Sequence, residues 1–158
     1  MRRLPALKVI RGAPDALLFV RVLAFAILVP LLFRLSLSRL EPLLSRGMGT
    51  QPPPPDEIGR IVGITEAALH FGRPLVRDGC LTRTVTLYRF LRRAGLDVSI
   101  CFGAGFPERA FAGHCWLLRE DQPFLERSDP RRLFTAVCSL PREARKPGMA
   151  ARHDKSLL

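Results

Sequence analysis

The sequence predicts an α+β fold in which helices come first and a small antiparallel sheet follows. Three observations carry this. Apolar residues recur near helical spacing from 56 to about 72 and again from 81 to 94. The period then changes to two, with Val98, Ile100 and Phe102 alternating against Ser99, Cys101 and Gly103. Residues 111–118 form a second β-prone run, and a third short strand over 123–126 would close a hairpin across Glu120 and Asp121.

Residues 1–46 read as an apolar N-terminal helical segment. Its most apolar stretch, 16–33, is interrupted by Arg21 and Pro30, and its longest uncharged run, 22–33, has twelve residues. A spanning helix needs about 20 mainly apolar residues. Arg2, Arg3, Lys8 and Arg11 resemble the leading region of a secretion signal, but no A-x-A-like cleavage site follows Phe33. Two readings stand: an oily helix packed on the rest of the chain or on a partner protein, or peripheral membrane contact through residues 16–33. Arg34, Arg39 and Arg46 would suit anionic lipid in the second.

Residues 47–55, GMGTQPPPP, read as a linker, because glycines do not hold a helix and four consecutive prolines favour an extended segment. The main domain is then 56–140. Its first helix opens on the acidic turn Asp56-Glu57 and should end by Gly72 to Pro74. In the second, Leu81, Val85, Tyr88 and Leu91 form one stripe, Arg83, Arg89, Arg92 and Arg93 lie largely off it, and Gly95 supplies a stop. Residues 141–158, with Pro141, Pro147, Gly148 and mixed charges, read as a flexible basic tail.

The net charge of +11 is placed at the ends. Residues 47–141 hold twelve Lys and Arg against ten acids, whereas 1–46 hold eight against two and 142–158 five against two. A nearly balanced middle argues against a nucleic-acid face on the folded part. Cys80, Cys101, Cys115 and Cys138 include no C-x-x-C pair, and no cleavable signal precedes them. A zinc site or disulfide framework is therefore not expected, and a reducing, cytoplasmic setting is.

Cys80 opens the second helix, where unpaired backbone N–H groups and the positive end of the dipole favour a thiolate. The same helix start supplies a backbone N–H that could hold an oxyanion. His114 lies in FAGHCWL on a strand, placed to act as general base and acid. The hairpin brings Glu126, twelve residues on, roughly beside it, so Glu126 is the candidate for orienting the imidazole. Asp121, in the turn, and Asp129, past the strand, are weaker choices. Cys101, Cys115 and Cys138 read as small buried hydrophobes, and His70 and His153 as solvated. Trp116 shares a face with His114 and has two readings: core filler beneath the sheet or a substrate-binding wall. Neither metal nor organic cofactor is required by this set.

The run Cys80-Leu-Thr-Arg-Thr-Val-Thr-Leu-Tyr-Arg-Phe-Leu-Arg-Arg-Ala-Gly-Leu-Asp, followed by Phe111-Ala-Gly-His-Cys-Trp116, resembles the transglutaminase-like leader peptidases of lasso-peptide biosynthesis. The resemblance covers residues 58–140. It implies a transglutaminase-like, papain-like cysteine-protease fold, with Cys80, His114 and Glu126 on the family's cysteine, histidine and acidic positions. Thr84 stands where serine is common, Gly113 and Cys115 replace alanines beside the histidine, and Leu118 replaces a glutamate.

What the resemblance implies is removal of the leader from a ribosomally made bacterial precursor peptide. A separate leader-recognition protein and an ATP-dependent, asparagine-synthetase-like macrolactam cyclase would be the partners. Two other readings remain open: a transglutaminase-like acyl transferase that passes the acyl group to an amine, and a non-catalytic membrane-associated scaffold.

Overall fold

The computed structural model describes residues 10–34, 42–44, 47, 49–73, 75–76 and 79–141. Most of the tail read at 141–158, and the ends of the N-terminal segment, lie outside the described residues. Among the described residues, helices α1 (Ala13–Leu32), α2 (Pro55–Phe71) and α3 (Cys80–Arg93), with a further helical turn at 42–44, precede a four-stranded sheet of β1 (Ser99–Gly105), β2 (Ala112–Arg119), β3 (Gln122–Phe124) and β4 (Thr135–Leu140). The α+β expectation holds, with an apolar helix in front. The sheet is antiparallel with order β3-β2-β1-β4.

Helix α2 starts where the proline run ends, because Pro55 has its φ preset for a first helical turn and needs no N–H partner there. Helix α3 ends in a Schellman arrangement: Leu96 N–H bonds to Leu91 O and Gly95 N–H to Arg92 O, each at 3.0 Å. Gly95 takes φ +96°, in the left-handed region that the arrangement needs. A Cβ there would lie 1.9 Å from the carbonyl oxygen of Gln51, and one on Gly49 would lie 2.7 Å from the Gly95 nitrogen. Gly49 N–H also bonds to Arg92 O at 3.2 Å. The segment read as a linker thus crosses the end of α3 in backbone contact.

The amphipathic stripe of α3 does what its spacing predicts. Val85, Leu87, Tyr88 and Leu91 are buried against Val98, Ile100, Cys115, Leu117 and Leu140 of the sheet, with Ile61 of α2 and Val29 of α1 in the same core. Helix α1 is 20 residues long, and its most apolar window has a mean hydropathy of 2.3 with 22% of it buried, so by length and composition it could cross a membrane. Here Val22, Ala26 and Val29 pack inward while Leu17, Val20, Leu28 and Leu31 stay exposed. Asp15 ties α1 to α2 through Arg60. The Arg11 backbone N–H and the Arg60 guanidinium hold its carboxyl below the usual carboxylate range.

Two sheet features differ from the expectation. The third strand is Gln122–Phe124 rather than 123–126: after a two-residue turn with φ +52° at Glu120 and +60° at Asp121, pairing stops at Phe124 because Leu125 takes φ +62° and turns the chain out of the ladder. The fourth strand, Thr135–Leu140, was not foreseen. It pairs with the far edge of β1 and is exposed over its first four residues, so it carries no inward-outward alternation to read.

Gly95→Ala is expected to destabilise the protein by more than about 1 kcal/mol in urea denaturation, because it meets both the left-handed φ and the Gln51 carbonyl.

Candidate active site

Beyond Leu117, toward its N-terminal end, β2 has no β3 partner. Helix α3 fills that edge with two side chains one turn apart. Thr84 Oγ1 donates to the Cys115 carbonyl at 3.1 Å in a buried hydrogen bond, and Cys80, four residues earlier, faces the Cys115 backbone N–H. Residue 84 therefore needs a hydroxyl, which threonine supplies as well as serine.

Cys80 is the first residue of α3, and it is partly exposed. Gly79 caps the helix without a side chain, leaving the first-turn N–H groups without a side-chain acceptor. The Cys80 thiol is lowered to about 5. The largest cause is a hydrogen bond from the Cys115 side chain; burial opposes it, and the Cys115 backbone, a hydrogen bond from His114 and the charge of His114 all add to the lowering. The same contact pushes the Cys115 thiol up, with burial adding to it. Of the two thiols, Cys80 is the one at the helix start and partly exposed, placed to carry the charge, with the buried Cys115 thiol as its neighbour.

His114 stands on β2 opposite Gly103 of β1. Its Nε2 is 3.7 Å from Glu126 Oε2, an ion-pair separation longer than a hydrogen bond. The ring is held on two sides, stacked on Trp116 at 5.9 Å between centroids and 23° between planes, and tilted against Phe134 at 5.2 Å. Trp116 is fully buried, and its ring lies over Gly103, where a Cβ would be 2.7 Å from it. Of its two readings the core one fits: Trp116 backs His114 and presents no surface to a ligand.

His114 thus lies 3.7 Å from Glu126 and close enough to Cys80 to act on its thiol. Asp129 instead accepts from its own near neighbour Arg131, and Asp121 sits in the hairpin turn. Two contributors were not singled out from the sequence. Cys115 reads as a small hydrophobe and is indeed buried, but its sulfur and N–H face Cys80. Arg83 reads as one of several arginines off the apolar stripe; the signal was its place three residues after Cys80, one turn along the same face. A groove of about 650 Å³ lies between the helices, lined by Leu18, Arg21, Phe25, Arg60, Arg89 and Arg93 among others. None of the three site residues lines it.

Cys101 differs from Cys80 in kind, its thiol pushed up to about 11, chiefly by burial. Alkylation of Cys80, followed by mass spectrometry across pH, is expected to rise through a midpoint near 5 as the thiolate forms, and to fall away below it. A free thiol would titrate at about 8.5. Cys115→Ala removes the S–H donor and should raise that midpoint by roughly one unit or more.

Residues 19–139 of the chain match the transglutaminase-like superfamily. That span takes in part of α1 and all of α2, α3 and β1 to β3. No curated protein and no solved structure matches it.

Proposed function

Because the chain belongs to the transglutaminase-like superfamily, we propose that it is a cysteine peptidase that removes the leader from a ribosomally made lasso precursor peptide. The observation that carries the chemistry is a partly exposed thiol lowered to about 5, with an imidazole beside it and a carboxylate behind the imidazole. The substrate rests on the run from Cys80 to Asp97 and the His114-Cys-Trp116 strand, whose likeness to leader peptidases is one of sequence alone.

In this reading the Cys80 thiolate attacks the carbonyl carbon at the leader-core junction. The carbonyl π electrons move to oxygen, and the Cys80 backbone N–H at the start of α3 helps hold the oxyanion. His114, as imidazolium, gives its proton to the leaving amine, and the acyl group stays on Cys80. Water then attacks, His114 takes its proton, and the thiolate leaves with the leader's new carboxylate released. Glu126 lies toward Nε2, so Nδ1 is the nitrogen left to exchange protons at Cys80. Glu126 keeps that orientation.

The partners follow from the same resemblance: a separate leader-recognition protein, and an ATP-dependent synthetase-like cyclase that consumes the core peptide. The exposed apolar residues of α1, Leu17, Val20, Leu28 and Leu31, are the surface we assign to docking them.

The superfamily supports acyl transfer as well as hydrolysis, so an amine could take the place of water in the second step. Product masses separate the two, since hydrolysis adds water and transfer joins two chains. With precursor and partners present, Cys80→Ala is expected to cut processing by at least on the order of a thousandfold while the protein stays folded. Wild-type processing by that variant would sink the proposal.

A further inference from the structure

Arg83 uses its whole guanidinium fork. Its Nε donates to Glu66 Oε1 of α2 at 2.7 Å, Nη2 to the Leu125 carbonyl at 3.2 Å, and Nη1 lies 3.5 Å from Glu126 Oε1. The planar group thus joins α2 and α3 to the segment that leaves β3. Lysine, a single point donor on a flexible stem, could not reach these partners together.

The two contacts on that segment fall on the residues that aim Glu126. Leu125, at φ +62°, is a non-glycine residue in the left-handed region, a conformation that persists only where its surroundings hold it. Arg83 bonds to its carbonyl. Glu126 then offers one carboxylate oxygen to Arg83 and the other to His114 Nε2. Its side chain is only 17% exposed, so it has little freedom to be aimed by water instead.

We propose that Arg83 is a positioning residue that fixes the turn at Leu125 and holds the Glu126 carboxylate against His114. This rests on the reading of Cys80, His114 and Glu126 as the reacting set. Arg83 touches neither the thiol nor the imidazole in this arrangement and acts through Glu126.

The test needs no substrate. The pH midpoint of Cys80 alkylation is measured for the wild type, Arg83→Gln, Glu126→Gln and the double variant, with circular dichroism confirming that each is folded. Losing the aimed carboxylate releases the His114 ring, whose hydrogen bond and charge help hold the thiolate, so each single variant should raise the midpoint by roughly one pH unit. The double variant should go no further than Glu126→Gln alone, because Arg83 would have nothing left to position.

An unmoved midpoint in Arg83→Gln beside a raised one in Glu126→Gln overturns the proposal and leaves the reacting set intact. So does a double variant whose shift is the sum of the two singles. A wild-type midpoint near that of a free thiol overturns the reacting set, and this proposal with it. If Arg83→Gln does not fold, Glu66→Gln carries the same comparison, since it removes the tightest anchor of the fork without touching Glu126. A shift that again vanishes in the Glu126→Gln background supports the proposal, and one that persists there overturns it.

Discussion

Where β3 stops short, the main chain of Cys115 is left with an N–H and a carbonyl that no strand reaches, and the start of α3 covers both. Buried main-chain polar groups left unpaired cost about 1 to 3 kcal/mol each, so this edge must be covered by something polar. Thr84 takes the carbonyl, and the Cys80 sulfur faces the N–H. The chain therefore settles a structural debt at the sheet edge with the same helix turn that carries its most acidic thiol. A hydrophobic residue at 84 and an apolar one at 80 would leave the helix and the sheet touching only through side-chain packing.

The opposite face of β2 is organised around one missing side chain. Gly103 lies across from His114 in the β1-β2 register, and the indole of Trp116 occupies the space a Cβ would take. With Trp116 wedged there and Phe134 on the other side, the imidazole has its ring plane set by packing before any hydrogen bond is considered. A ring held by its neighbours in this way needs no large motion to exchange a proton, which is the condition under which positioned acid-base groups are effective.

The parts of this arrangement that are local were legible in the sequence. The stripe Leu81, Val85, Tyr88, Leu91 located α3 to within a residue at each end, Gly95 marked its stop, and the β-prone run before Glu120 and Asp121 marked the hairpin. The distance from His114 to Glu126 followed from counting residues around that turn. What was not legible depends on segments far apart in the chain. The Cys80-Cys115 contact joins residues 35 apart by number, and nothing in a lone cysteine beside a histidine distinguishes a hydrogen-bond donor from core filler. Arg83 was hidden among helix arginines because its partners, Glu66 and Leu125, come from two other segments. Strand β4 was hidden because its outward residues outnumber its buried ones.

The crossing of Gly49 over Gly95 bears on what counts as a module here. A stretch rich in glycine and proline invites the idea that the chain could be cut there and the following part moved into another protein as a cassette. Two backbones in contact where neither can carry a side chain make that stretch part of the wall of α3 instead. Helix α1, joined to α2 by Asp15 and Arg60, shares the core that supports the site. A junction cut there would separate α1 from the core it shares with α2, α3 and the sheet.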